Sequence, residues 1–374
     1  MKKKIYKYFF YEFVIYFTIT LFALAAIVWT IQAVNYLDLI TEDGHAFTVY
    51  FIYSFLSLSK VLTKLIPFCF LLAIVLTIIK LEKDNELIAL WTSGLNKIHI
   101  VNLIFRISVL VMLLQLFLTS IINPTLLNFS RTLLKNSQLQ FIPSLLKEKQ
   151  FNDAVEGLTI FVDKKDENQI YNNIFIRDDG RILSKIASSS STIIAKSGYI
   201  SKDEKNLVLF NGNIQKLNDD GTVDIVKFQK TVLNLSGMST KSITEPKMQE
   251  TSSIQIIRCL QRKETVMHNC NDSKKSMMDI KIELNKRFGM PIYILLISLI
   301  SSFLLTSRKD KKMFHLNKYI YFFIGFLILT LAEIIVRYSG TSWSHTIVYY
   351  FIPLVMTPLL YFALIKTFKY ENLS

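Results

Sequence analysis

Residues 98–124 read IHIVNLIFRISVLVMLLQLFLTSIINP. From Ile98 to Ile122 the stretch is almost wholly apolar, longer than the roughly 20 residues a helix needs to cross about 30 Å of hydrocarbon. In water such a helix would expose an apolar cylinder with no partner, so the stretch reads as a membrane span. It is expected to stop at Asn123-Pro124, because proline pushes the preceding residue out of the helical region.

Five further runs of the same kind lie on either side: about Phe9 to Val34, Val49 to Ile79, Phe288 to Thr306, Lys318 to Val336 and His345 to Ile365. They account for a chain of 374 residues with 51% hydrophobic and only 19% charged residues, and a mean hydropathy of +0.35. Lys60, Lys64 and Pro67 interrupt the second run, which is expected to tilt or to extend beyond the bilayer. Met1-Lys2-Lys3-Lys4 before the first run resembles the start of a signal peptide. That run is too long for a signal's apolar region and carries Trp29, so it is expected to stay as a first helix.

Between spans three and four, residues 125–276 differ in kind. Short β-branched stretches recur at Leu158–Val162, Ile170–Ile176, Ser191–Ala195, Leu207–Phe210 and Val223–Phe228. Turn signals separate them at Asp178-Asp179-Gly180, Asn211-Gly212-Asn213 and Asn218-Asp219-Asp220-Gly221. Strands so spaced predict an all-β sandwich or jelly roll, with helical flanks. The expected fold is therefore a six-span membrane α-helical protein with an inserted β-domain. Its parts are residues 1–124, 125–276 and 277–374.

The positive charges orient it. Lys2, Lys3, Lys4 and Lys7 precede span one; Lys80, Lys83 and Lys97 lie between spans two and three. Arg308, Lys309, Lys311 and Lys312 separate spans four and five, and Lys366 and Lys369 follow span six. With six spans all of these fall on one side, and the opposite short loops, 35–48 and 338–344, hold no Lys or Arg. The positive-inside rule puts both termini in the cytoplasm and the β-domain outside it. Membrane topology thus accounts for the net charge of +14, and no basic stretch has the interleaved aromatics of a nucleic-acid module. Cys69 lies in an apolar run; Cys259 and Cys270 would pair only if their region faces an oxidising compartment.

No phosphate-cradling loop, zinc signature or nucleophile elbow is present, and the five histidines are scattered without metal-ligand spacing. The chain is expected to be no enzyme and to bind no metal or cofactor itself. Its most informative polar segment is Leu81-Glu82-Lys83-Asp84-Asn85-Glu86-Leu87-Ile88-Ala89-Leu90-Trp91-Thr92-Ser93-Gly94-Leu95. Acids at its start, an apolar face of Leu87, Leu90 and Trp91, and Gly94 as a stop predict a short helix over about 82–95. Such a helix either lies on the bilayer or docks into a groove of a cytoplasmic partner.

This segment resembles the E-L-x-A-L-x-x-x-G pattern of the LptF/LptG permease family, the membrane subunits of the lipopolysaccharide exporter. Glu283-Leu284-Asn285-Lys286-Arg287, leading into span four, is similar to the family's E-L-x-x-R pattern. The order of three spans, a periplasmic β-jellyroll and three more spans also matches along nearly the whole chain. Gln150-Phe151, Gly157–Asp163 and Ile170–Arg177 are more similar to LptF than to LptG, and Trp91 stands where the family often has a smaller or basic residue.

The resemblance implies a permease subunit in the bacterial inner membrane that extracts lipopolysaccharide toward a periplasmic bridge. Its implied partners are an LptB ATPase dimer carrying ATP and Mg, a second permease chain of the LptF/LptG pair, and LptC and LptA through the β-jellyroll. Glu82, Glu86, Leu87, Ala89, Leu90, Trp91 and Gly94 would form the helix coupled to that ATPase. Lys60 and Lys64, and Arg131 and Lys135 at the same spacing of four, would meet headgroup phosphates or else snorkel to interface water. Glu283, Lys286 and Arg287 would anchor the entrance to span four at the membrane surface and pair locally, or would orient the β-domain. Glu333 and Arg337, four apart near the outer end of span five, would pair with each other or touch a lateral gate. The other reading is a membrane-anchored scaffold whose β-domain binds a periplasmic protein.

Overall fold

The computed structural model describes residues 2–41, 45–137, 146, 148–155, 157–166, 170–179, 190–201, 206–217, 222–234, 247–261, 270, 273–306 and 314–371. It divides into two compact units. The first comprises residues 1–30, 57–127 and 247–374, the second 31–56 and 128–246.

The described helices are α1 (Lys2–Asn35), α2 (Asp38–Thr41), α3 (Phe47–Lys83), α4 (Glu86–Thr92), α5 (Lys97–Phe117) and α6 (Asn123–Asn136). After the β-region come α7 (Ser253–Leu260), α8 (Lys274–Gly289), α9 (Tyr293–Ser302), α10 (Phe314–Tyr338) and α11 (Trp343–Glu371). Among the described residues, six helical stretches are long and apolar enough to cross a membrane. They are not equivalent. The most apolar windows of spans two and four are 61% and 78% buried, whereas those of spans one, five and six are 6%, 22% and 17% buried. Spans two and four therefore form the centre of the first unit. Spans one, five and six present Phe22, Ile27, Phe323, Phe351 and Phe362 outward, as helices bathed in lipid do. Gly289 permits the closest approach, since a Cβ there would collide with the ring of Tyr349, whose carbonyl accepts from Tyr293 Oη at 2.8 Å.

Span three does not stop at Asn123-Pro124. It widens into a π-turn over Leu118–Ile122 and continues as α6. Pro124 then sits in the first turn of a new helical segment, where a missing N–H costs nothing. The π-turn is the device that absorbs the proline.

In the second unit the described strands are β1 (Phe151–Val155), β2 (Leu158–Lys165), β3 (Ile170–Asp178), β4 (Ser191–Ile200), β5 (Asn206–Leu217) and β6 (Val223–Asn234). They form one antiparallel sheet in the order β1-β2-β3-β4-β5-β6. This is a meander: every neighbour in space is a neighbour in sequence. The crossovers of a sandwich or jelly roll are not found among the described residues. One face buries Leu158, Ile160, Val162, Ile174, Ile176, Ile193, Leu207 and Leu209.

Asn211-Gly212-Asn213 is not a turn. It lies inside β5, and Gly212 pairs with both Ala195 and Phe228. The ladder skips one residue per strand along a line through Asp163, Asn173, Lys196, Asn211 and Gln229. Asn173 and Asn211 take left-handed backbone there (φ 52° and 49°), which asparagine tolerates better than most residues. Across the line the buried alternation changes step: Tyr171 is buried on one side, Ile174 and Ile176 on the other. A one-residue step flips side chains to the opposite face, so the skip keeps a long sheet's apolar residues on a single face while creasing it. The predicted turn at 218–221 and Gly180 lie outside the described residues.

Candidate functional site

Lys60, Thr63, Lys64, Pro67 and Phe68 recur at helical spacing and therefore share one face of α3. In the first unit that face lines a cavity of about 250 Å³. Gln115, Thr119 and Asn123 from the π-turn and its flanks, Glu283, Lys286 and Arg287 from α8, Glu333 from α10, and Gln249 complete the polar part. Pro67, Phe68, Leu127 and Met290 complete the apolar part.

The π-turn gathers the wall. Thr119 Oγ1 donates to the Arg287 carbonyl at 3.1 Å, Ser253 Oγ to the Ser120 carbonyl at 2.7 Å, and Asn123 Nδ2 to Thr63 Oγ1 at 2.8 Å. Gln115 Nε2 reaches the Thr63 carbonyl at 3.3 Å. Gln115 Oε1 and Asn123 Oδ1 are buried acceptors with no donor among the described residues.

Arg287 is 3% exposed and all five of its N–H donors are used. Nε donates to Glu283 Oε1 at 2.9 Å. Nη1 donates to the Thr251 carbonyl at 3.0 Å and Ser253 Oγ at 2.9 Å. Nη2 donates to the carbonyls of Met248 and Gln249 at 3.2 and 3.3 Å. The expected local pairing of Glu283 with Arg287 is thus present, as part of a clasp that holds the segment 248–253 against α8. The spacing in E-L-x-x-R is what the clasp requires, because residues four apart meet on one helix face. A disulfide between Cys259 and Cys270, Cα atoms 5.9 Å apart, fastens α7 beside it, and Ile256 and Ile280 pack underneath.

Lys286 behaves differently. Its ammonium donates to Glu333 Oε1 at 2.8 Å, and both side chains keep about a third of their exposure. Glu333 is thus paired across to span four, not with Arg337, which lies exposed one turn further along α10. α8 brings a lysine nearer than the expected i, i+4 partner. Lys60 and Lys64 line the cavity; Arg131 and Lys135 lie on α6 and are not among its lining residues.

The helix expected over about 82–95 is shorter than that. Asn85 takes left-handed backbone (φ 57°) and separates α4 from α3, so Glu82 belongs to the last turn of α3, which ends at Lys83, and the helix begins at Glu86. Gly94 (φ 81°) does stop it: Gly94 N donates to Trp91 O and Leu95 N to Leu90 O, the double bond of a Schellman end. Leu87 is buried and Leu90 and Trp91 pack against the chain's own core; Ile88, Ala89 and Thr92 face outward. A seven-residue helix turns its apolar stripe toward the nearest apolar mass, which is its own spans. Glu86 accepts from Tyr8 Oη at 3.0 Å, and Lys80 meets Glu12 at 2.6 Å, so two polar contacts tie the start of span one to α3 and α4.

Sequence reasoning missed Tyr8, Glu12, Thr63, Gln115, Thr119 and Asn123. Gln115 and Asn123 could have been found as amides inside or at the end of an apolar run, where a polar group must be satisfied or functional.

The chain is 27% identical over 292 residues to an uncharacterized protein, RP871, of Rickettsia prowazekii (strain Madrid E), covering 77% of each chain. The pattern defining the lipopolysaccharide export system permease LptF/LptG matches residues 7–367, and the chain belongs to that family of multi-pass permeases of the bacterial inner membrane.

Proposed function

We propose that the chain is one permease subunit of an ABC transporter that extracts lipopolysaccharide from the inner membrane and passes it to a periplasmic bridge. The observation that carries this reading is the cavity. Four cations and two carboxylates line it, a surplus of two positive charges. The amide oxygens of Gln115 and Asn123, which have no donor among the described residues, suit sugar hydroxyls, and an apolar wall suits the root of an acyl chain. At about 250 Å³ it holds a headgroup fragment rather than a whole lipid, for drug-sized ligands occupy pockets of roughly 300–1,000 Å³. The headgroup cations in this reading are Lys60, Lys64 and Lys286; Arg131 and Lys135 would act elsewhere on the route.

Both termini would be cytoplasmic and the sheet periplasmic, as the flanking lysines favour. The Cys259–Cys270 disulfide supports this side for the region beside α7, since disulfides persist in oxidising compartments. α4 would then face the cytoplasm and dock on an LptB-type ATPase through Glu86, Ile88 and Ala89. ATP and Mg would be bound there and not by this chain. A second permease chain would close the cavity, and the sheet would pass the lipid to LptC and LptA by strand addition. Of the two roles we take that of LptF, which Gln150-Phe151, Gly157–Asp163 and Ile170–Arg177 resemble more than LptG.

Photocrosslinkers at positions 60, 64 and 249 test the reading. Lipopolysaccharide adducts are expected, together with an ATPase that co-purifies with the wild type and is lost with Glu86→Lys. Absence of both adducts and ATPase would leave only a scaffold.

A further inference from the structure

We propose that α7 is a lipid-contact helix: Ile254 and Ile257 sit at the acyl boundary of the leaflet farther from Thr306, and Arg258 holds the phosphate of an anionic phospholipid there. This needs only that span four crosses the bilayer, and so stands apart from the permease reading.

Depth follows from helix rise. Span four is one helical stretch from Lys274 to Thr306, and Arg308-Lys309 follows it in sequence, so Thr306 lies near one edge of the hydrocarbon. At about 1.5 Å per residue, Arg287 stands about 28 Å from that edge and Ile280 about 39 Å. The hydrocarbon is roughly 30 Å thick, and each headgroup layer adds about 5–7 Å. α7 climbs α8 between those two levels. Its first residue, Ser253, accepts from Arg287 Nη1 at 2.9 Å, and Ile256 and Cys259 form one buried cluster with Ile280 further up. A second marker agrees. Trp343, 71% exposed at the start of span six, has the Lys281 ammonium 5.3 Å from its ring centroid, as suits an aromatic of the headgroup belt.

The outward face of α7 has two edges. Ile254 and Ile257, three apart, share one; Gln255 and Arg258, three apart, share the other. The buried residues Ser253, Ile256 and Cys259 already make the contacts that hold the helix. Ile254 is 64% exposed, a cost in water that vanishes against acyl chains. Arg258 lies one turn beyond Ile254, about 6 Å further along α7, which brings its guanidinium into the headgroup layer. There it grips a phosphate with two N–H groups while its stem lies along the acyl boundary. Lys274 and Lys275, exposed at the start of α8, add to the positive field. An isoleucine edge beside a cationic edge at this height suits an anionic lipid surface. The segment 248–253 runs directly into α7 and supplies Gln249 to the cavity, so the lipid contact fixes the height of the cavity's rim.

The full-length chain with its co-purifying partners, in nanodiscs, tests this through tryptophans placed at exposed positions: Ile254→Trp, Ile257→Trp and Gln255→Trp. Wild type supplies the background of Trp29, Trp91 and Trp343. Melting temperatures near wild type verify the fold. The signal added at 254 and 257 should fall by roughly half with phosphatidylcholine brominated near the headgroup end of its chains, and by less with bromine near the chain terminus. The loss at 255 should be several-fold smaller. With the brominated lipid diluted to a minor fraction, quenching at 257 should be about two-fold greater for phosphatidylglycerol than for phosphatidylcholine, and Arg258→Gln should remove that difference. Access of 254 and 257 to aqueous acrylamide but not to bromine would mean that water covers the face, and access to neither that a protein does; each overturns the proposal. Equal loss at 255, or a headgroup difference that is absent or survives Arg258→Gln, overturns it as well.

Discussion

Lys286 and Arg287 are adjacent on α8 and face the same cavity, yet they belong to different regions of it. On the Arg287 side every donor has an acceptor, the side chain is buried, and the partners are carbonyls of a chain segment that must be held. On the Lys286 side one ammonium leans on one carboxylate from another helix, and both remain partly open. The difference separates the part of the site that makes the fold from the part free to meet a ligand. Counting donors decides it where residue type and position do not.

The sharpest way to break this comparison is Arg287→Gln. It strands a carboxylate and several carbonyls in the interior, and breaking one side of a buried pair costs about 3–5 kcal/mol. Thermal unfolding of the detergent-solubilised chain should show a large drop. Arg287→Lys should recover little of it, since an ammonium cannot serve five acceptors in a plane. A melting curve like wild type for either variant would erase the distinction between the two sides.

The next effect tests how far the clasp extends. Cys259→Ser together with Cys270→Ser should destabilise by roughly 2–4 kcal/mol, as loss of a short closed loop does. The change should appear as faster amide exchange in α7 and in residues 248–253 that Arg287 holds. Exchange that stays slow there would show that Arg287 alone maintains the segment.

How much of this was legible in the residues follows from what each pattern measures. Six spans were legible because burying backbone in lipid demands long apolar helices, and length with hydropathy reports that directly. The clasp was not. Glu283 and Arg287 were visible as a pair, but their burial depends on carbonyls more than thirty residues away. Local punctuation misled twice for one reason. Asn123-Pro124 and Asn211-Gly212-Asn213 both carry turn chemistry, and both are used to bend an element that continues. A π-turn absorbs the proline, and a crease across β3, β4 and β5 absorbs the asparagines. The stripe of Leu87, Leu90 and Trp91 was legible as a face, but periodicity cannot say whether a face turns toward a partner or toward the chain's own core.

Lys286→Gln sharpens the comparison from the open side. A partly exposed ion pair contributes about 0–1 kcal/mol, so the melting temperature should barely move. Lipid retention should fall for phosphatidic acid more than for phosphatidylglycerol. If unfolding instead shifts as far as in Arg287→Gln, Lys286 belongs with the clasp and the cavity has no exchangeable cation on α8.

The smallest effect lies where α4 meets span one. Glu86, like Glu333, is a carboxylate held by a single side chain from another helix, here Tyr8 at 3.0 Å. Tyr8→Phe removes one partly exposed hydrogen bond and should cost about 0.5–1.5 kcal/mol. Glu86→Gln should cost the same or less. Because the two residues touch, the double variant should show an interaction energy, which contacting pairs place at roughly 0.5–3 kcal/mol. The cycle carries more than stability. If α4 receives the motion of an ATPase, the Tyr8 contact passes it to span one, and Tyr8→Phe should lower lipid transported per ATP hydrolysed without loosening the ATPase. Additive stabilities with unchanged transport per ATP would mean that span one moves independently of α4. Open polar pairs would then serve the cavity but not the drive.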